Sequence, residues 1–207
     1  MSTRTIAPLT ILLGLTTRVP AADLAGSPDA QEALALCREA ERAGAAQAEL
    51  LQRGLALAER AVETDPTDAT AHFALFCNLG RQMQGARLSL ASLAGLRRLR
   101  REIDRTLELA PDWADALVGK GALLAGTPRF LGGDAAEGER LLRRAVRLAP
   151  ELAYAHLELA RALVARHAPE EARREARCAL ELAANDPSSP AAAEARTLLG
   201  AVEDEAA

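Results

Sequence analysis

A chain of 207 residues fits one domain and is long enough to bury a hydrophobic core without disulfides or a bound metal. Aromatic residues make up only 2% of the sequence, and alanine, leucine, arginine and glutamate are abundant, so the local conformational preferences favour an all-α fold. The formal charge of -4 arises from 29 acidic and 25 basic residues interspersed along the chain, and this balance provides no broad basic surface for nucleic acid.

The first 21 residues have the order of a secretory signal peptide. Arg4 precedes an apolar stretch at residues 6–15, and small residues follow before Ala22. The pattern predicts that residues 1–21 are removed and that the mature chain lies in the periplasm or is secreted; a disordered leader on a cytoplasmic protein is the alternative. The apolar stretch is shorter than the roughly 20 residues of a membrane-spanning helix, so we do not expect a membrane-embedded protein. We expect residues 22–207 to form a single helical domain.

A recurring phrase divides the rest of the chain. A helical segment runs into a proline and then into a second helical segment in AVETDPTDATAH, TLELAPDWADAL, AVRLAPELAYAH and ALELAANDPSSP. Proline cannot continue a helix but is favoured in the first turn of the next one, so each phrase predicts a turn between two helices, which we call a joint. Between the joints, apolar residues recur at helical spacing. We therefore predict helices over most of residues 29–205, no β-sheet, and turns near Pro66, Pro111, Pro150 and Pro187.

The pattern resembles the tetratricopeptide repeat (TPR), a 34-residue helix pair with small residues at its eighth, twentieth and twenty-seventh positions and proline at its thirty-second. Residues 153–186 match best, with Ala160, Ala172 and Ala179 at the small positions and Ala184 in place of the proline. The resemblance implies an all-α, TPR-like solenoid of antiparallel helix pairs.

The two central units are longer than the family period. Pro66 to Pro111 is 45 residues and Pro111 to Pro150 is 39, so these units carry insertions of 11 and 5 residues over the usual 34. The shorter insertion predicts a loop at residues 126–134, GTPRFLGGD, whose Asp134 is placed to cap the next helix. The resemblance therefore implies a solenoid with lengthened central units.

The phrases PRFLGGD and AHFALFCNLGR add a narrower resemblance. They are similar to sequences of the T component of TRAP-type solute transporters and of the regulator of microtubule dynamics group. The first of these implies a second possible role, that of a small-molecule-binding accessory component of a solute transporter.

No pattern of cysteine or histidine indicates a metal site or a catalytic nucleophile. Cys37, Cys77 and Cys178 lie far apart without zinc-type spacing, and we interpret them as small buried apolar residues, although one disulfide could form in an exported protein. His72 and His156 each occupy the fourth position of a repeat, where an aromatic ring packs between helices. We therefore predict a protein that is not an enzyme and needs no cofactor.

Two basic features of the sequence, Lys120 and the arginine-rich segment at residues 97–105, do not predict a binding site. Lys120, the only lysine, lies in a GKG string that falls within a helical pattern, so we expect it to pair with a carboxylate or extend along the surface instead of binding phosphate. The segment RRLRREIDR at residues 97–105 is interleaved with acidic residues and has no aromatic partners for stacking on bases, so we interpret it as a solvated surface.

The resemblance also implies a binding groove, because in the TPR family the first helix of each pair lines the concave surface. We expect Phe73, Tyr154 and Leu157 to form an apolar floor and Arg81 and Arg161 to hold an anionic group. Such a groove suits a protein or peptide partner that presents apolar side chains and one carboxylate. A small apolar acid is the competing ligand. The predicted binding residues are Phe73, Arg81, Val118, Tyr154, Leu157 and Arg161.

Overall fold

The computed structural model describes residues 26–84, 90–185 and 190–204, and these residues form helices with no β-strand among them. The leader at residues 1–21 and the joint at Pro187 lie outside the described residues. The helices are α1 (Pro28–Ala40), α2 (Gln47–Thr64), α3 (Ala69–Gln82), α4 (Leu90–Leu109), α5 (Ala114–Gly126), α6 (Ala135–Leu148), α7 (Ala153–Ala165), α8 (Pro169–Leu182) and α9 (Pro190–Asp204). Short 3₁₀ turns lie at Gly44–Ala46, Arg129–Leu131 and Ala183–Asn185.

Successive helices pair in sequence, which confirms the all-α solenoid. Helices α1 and α2, α3 and α4, α5 and α6, and α7 and α8 pack as pairs, and α9 packs on the last pair. In the described parts of the chain, no helix is long and apolar enough to cross a membrane.

The joints occur where the prolines predict them, but the prolines do not begin the following helices. Pro66 lies in the turn between α2 and α3, and the first turn of α3 is capped by Asp68, whose carboxylate accepts hydrogen bonds from the backbone N–H groups of Thr70 at 2.8 Å and Ala71 at 3.1 Å. An aspartate cap satisfies N–H groups that a helix leaves unpaired, so the cap and not the proline determines where the helix starts. Asp134 caps α6 in the same way, as expected.

The two histidines at the fourth repeat position fasten the joints, and both are nearly buried as predicted. In His72, Nδ1 lies 2.7 Å from the Glu102 carboxylate and Nε2 lies 3.1 Å from the carbonyl oxygen of Pro66. His156 repeats the arrangement with Glu175 at 2.7 Å and the carbonyl of Pro150 at 2.9 Å. Each ring therefore ties a proline turn to the second helix of its own pair.

The core depends on small residues that allow close helix packing. Ala160, Ala172 and Ala179, the small positions of the best-matching unit, have no exposed surface. A Cβ atom built on Gly138 of α6 would lie 2.7 Å from the carbonyl oxygen of Gly121 in α5, closer than van der Waals contact allows. Helices α5 and α6 therefore meet backbone to backbone, which only glycine permits at position 138.

The three cysteines do not form the predicted set of buried thiols. Cys37 in α1 and Cys77 in α3 form a disulfide between helices that are adjacent in the solenoid but 40 residues apart in sequence. Cys178 is a free thiol and is exposed, so the prediction of a buried residue is wrong there; the buried face of α8 is formed by Ala172, Ala176 and Ala179. The prediction for Lys120 is confirmed: its ammonium group lies 2.7 Å from the carboxylate of Asp104.

Candidate functional site

The predicted binding residues belong to α3, α5 and α7, the first helices of successive pairs. Two of them, Arg81 at the end of α3 and Tyr154 at the start of α7, come together at one carboxylate. The Tyr154 hydroxyl donates to Oε1 of Glu41 at 2.5 Å, and the Arg81 guanidinium donates to the same oxygen. Glu41 directly follows α1, so the contact joins three helices from three different pairs.

This contact is largely shielded from solvent. The side chains of Arg81 and Glu41 are 22% and 17% exposed, respectively. Burial raises the pKa of the Tyr154 hydroxyl, and the hydrogen bond to Glu41 raises it further. The phenol is therefore protonated at physiological pH and acts as a hydrogen-bond donor.

The disulfide lies one helical turn from this contact. Cys37 precedes Glu41 by four residues, and Cys77 precedes Arg81 by four residues. Residues four apart share a helix face, so the covalent link between α1 and α3 places the carboxylate and the guanidinium side by side. We refer to Glu41, Arg81 and Tyr154 as the carboxylate clasp.

Arg161 lies two turns beyond Tyr154 on α7 and belongs to a neighbouring group of charges. Its guanidinium donates to Glu158 at 2.8 Å and also pairs with Glu194 of α9. Burial raises the pKa of the Glu158 carboxyl, while Arg161 opposes that shift. The negative charge of Glu194 also raises the pKa of the Tyr154 hydroxyl, so the Arg161 group lies near enough to the clasp to influence it.

Of the predicted groove floor, Phe73 and Leu157 are buried in the core, unlike Tyr154, and the predicted binding residue Val118 is buried as well. Phe73 and Val118 are 8% exposed and Leu157 is fully buried. Phe73 packs against Trp113 with ring centroids 4.5 Å apart and ring planes tilted by 51°, and Leu157 packs against Ala179, Ala191 and Ala195. Leu157 belongs to the core cluster against which Tyr154 packs, whereas Phe73 and Val118 belong to two other core clusters.

The three acidic residues that pair with Arg81, Tyr154 and Arg161 were not predicted from the sequence. Glu41 follows α1 and Glu194 lies in α9, both outside the part of the chain in which the repeat pattern is clear, and Glu158 resembles any other helical carboxylate. One signal was available: Glu41 lies four residues after Cys37 and Arg81 lies four residues after Cys77, so the two cysteines are followed by side chains of opposite charge. Over the residues that the structure describes, no three potential metal ligands converge at one place.

A cleft adjoins the Arg161 group on its α9 side. It is lined by both polar and apolar groups, including Arg161, Glu194 and Leu198, has a volume of about 320 Å³ and is open to solvent. Arg97 of α4, the first residue of the basic segment at residues 97–105, is exposed.

Comparison with known proteins supports the fold. No family model matches the sequence, and no curated protein is similar to it. Among solved structures, TTC0263, a thermophilic TPR protein of Thermus thermophilus, superposes with a TM-score of 0.51 at 17% identity over 82% of this chain and 98% of its own.

Two further solved structures match the chain with lower TM-scores. The MamA RS-1 ArsTM double mutant has a TM-score of 0.49 at 18% identity, covering 87% of this chain and 98% of its own. YrrB, described as a TPR protein with an unusual peptide-binding site, has a TM-score of 0.41 at 16% identity, covering 81% and 93%. The narrower resemblance to the transporter T component and to the microtubule group stays a prediction. The chain has the fold of a TPR protein.

Proposed function

We propose that this protein is a non-catalytic binding module that holds a protein or peptide partner on the surface formed by Arg81, Tyr154 and Arg161. The observation that carries the proposal is that Arg81 of α3 and Tyr154 of α7 meet at Glu41, while Arg161, two turns farther along α7, pairs with Glu194. Arginine and tyrosine are the residue types that dominate the binding energy of protein interfaces. A repeat scaffold holds them in place, and the disulfide and the histidine-fastened joints stiffen that scaffold.

The partner that fits this surface presents a carboxylate. The guanidinium groups of Arg81 and Arg161 and the Tyr154 hydroxyl are all hydrogen-bond donors, and arginine can bind a carboxylate through two parallel bonds. The alternative, a transporter accessory that holds a small apolar acid, would call for an enclosed apolar cavity. The cleft beside Arg161 is open and partly polar, so we develop only the protein or peptide partner.

We further propose that the protein acts in the periplasm or as a secreted protein. The order of residues 1–21 supports export, and so does the Cys37–Cys77 disulfide, because such bonds persist in oxidising compartments and are rare in the cytosol. N-terminal sequencing of native material tests the proposal. A mature chain that begins near Ala22 would support it, and recovery of intact residues 1–21 from the cytosol would refute it.

The binding surface is tested by substitution. The partner is first captured by affinity purification from native material, and calorimetry then compares variants of the full chain. Tyr154→Ala and Arg161→Ala should each weaken binding by about 1–3 kcal/mol, the range for important interface residues, with helical content unchanged by circular dichroism. The matched control is Arg97→Ala on the exposed face of α4, which should change the binding free energy by less than about 0.5 kcal/mol. If Arg97 proves critical and the two α7 residues neutral, the partner binds the basic face of α4 and the proposal fails.

A further inference from the structure

The carboxylate clasp has the geometry of a receptor that is already occupied. Arg81 and Tyr154 belong to different helix pairs, yet both donate to the same oxygen, Oε1 of Glu41. A guanidinium and a phenol aimed at one point form a site for a carboxylate, because such groups donate and the carboxylate only accepts. The ligand in this site is a side chain of the protein itself.

Glu41 is poorly placed for any role in stabilising its own helix. It is the residue that ends α1, where the backbone carbonyls give the helix a negative end, and a carboxylate there is repelled. Arg38 in the last turn is the residue type that this position favours. The side chain of Glu41 is therefore held by the two donors and not by α1.

Glu41 can also leave without disturbing the helices. Its side chain rotates about three bonds, so the carboxylate can move into solvent while the backbone of α1 stays in place. The Cys37–Cys77 disulfide keeps α1 beside α3 one turn away, and Arg81 then remains in position with no carboxylate bound. An incoming carboxylate would find both donors already oriented.

We propose that Arg81 and Tyr154 form a receptor for a carboxylate of the partner and that Glu41 occupies this receptor as an internal competitor in the unbound protein. This inference rests on the proposed function, since it names the group that the partner presents and the contact it displaces. The partner exchanges its own carboxylate for that of Glu41, and the contact between α1 and α7 opens as it binds. The unbound protein is therefore autoinhibited.

Chemical rescue tests the receptor without any partner. Glu41→Ala empties the site, and the full-chain variant should melt about 3–8 °C below the wild type, because a partly buried charged hydrogen bond is lost in a domain of this size. Sodium acetate at about 0.5 M should then raise the melting temperature of the variant by roughly 2–4 °C more than sodium chloride of equal ionic strength, for an affinity of order 0.1 M. The wild type should show no such difference between the two salts, because its receptor is filled.

Two further arms make the result specific. In the double variant Glu41→Ala/Arg81→Ala, the advantage of acetate over chloride should disappear, whereas it should persist in Glu41→Ala/Arg97→Ala. N-acetylalanine and the α-amide of N-acetylglutamate then compare a terminal with a side-chain carboxylate, and the one with the larger effect on Glu41→Ala identifies the source. Should Glu41→Ala fold poorly, Glu41→Gln keeps the shape of the side chain and should show a smaller shift in the same direction.

Equal effects of acetate and chloride on a folded Glu41 variant would overturn the inference, because the clasp would then be a structural contact with no affinity for an external carboxylate. That outcome differs from failure of the proposed function. The receptor can fail while Tyr154→Ala still weakens partner binding, and acetate rescue can succeed even where the captured partner ignores the surface.

Discussion

The disulfide between Cys37 and Cys77 makes a measurable contribution to stability. Removing it with the double variant Cys37→Ala/Cys77→Ala releases a loop closed over a sequence separation of 40 residues. The chain-entropy relation for a closed loop of that length gives about 4 kcal/mol at 25 °C. For a domain of 150–250 residues this corresponds to a fall in melting temperature of roughly 8–16 °C.

The assay is urea denaturation followed by circular dichroism, with thiol titration of the unfolded protein. The oxidised wild type should contain one titratable thiol, that of Cys178, and complete reduction should reveal three. The matched control Cys178→Ala removes the exposed thiol and should change the free energy of unfolding by less than about 0.5 kcal/mol, the usual range for a surface substitution. Three free thiols in protein purified without reductant would refute the reasoning, as would a double variant as stable as the wild type.

Two other predictions concern a joint and the core. The hydrogen bond to Glu102 is the main cause that raises the pKa of His72 above its ordinary value. This pair therefore stabilises the fold fully below about pH 6.5, and its contribution is lost as the pH rises through the folded-state pKa. In urea denaturation from pH 5.5 to 9, the wild type should lose its stability advantage over His72→Gln, and a difference that does not vary with pH would contradict this. Gly138→Ala should destabilise the protein by about 1–3 kcal/mol, because the new Cβ meets the backbone of α5. The control Gly200→Ala has open space around the new Cβ in α9 and should be neutral or stabilise the protein by up to about 1 kcal/mol. If thermal melts show equal effects for the two substitutions, close packing of α5 and α6 is excluded.

The fold was predictable because its signals are local. Helical periodicity and the prolines Pro66, Pro111 and Pro150 mark each helix and each turn within a few residues of sequence. The fourth-position histidines were also predictable, since their environment is set by the helix pair to which they belong. The start of α3 was less predictable, because its cap is Asp68 and not the more conspicuous Pro66.

The site was only partly predictable because it depends on how distant helices meet. Arg81 and Tyr154 followed from repeat position, but the carboxylate that joins them comes from α1, whose contact with α7 depends on the stacking of all the intervening helices. The pairing of Cys37 with Cys77 likewise requires α1 to lie beside α3. The repeat positions of Phe73 and Leu157 indicate the face of the helix on which each lies, but not how closely neighbouring helices cover that face. Their burial was therefore not predictable from the sequence.

The bond between Glu41 and Tyr154 also bears on how the molecule unfolds. In an ordinary solenoid each repeat touches only the next, so stability is a sum of nearest-neighbour terms and the end repeats fray independently. Here one hydrogen bond spans 113 residues and links the first helix pair to the fourth. Fraying of α1 must break a contact made by α7, so the two ends of the array share a free-energy term and the chain loses part of the modularity that its repeats would otherwise confer.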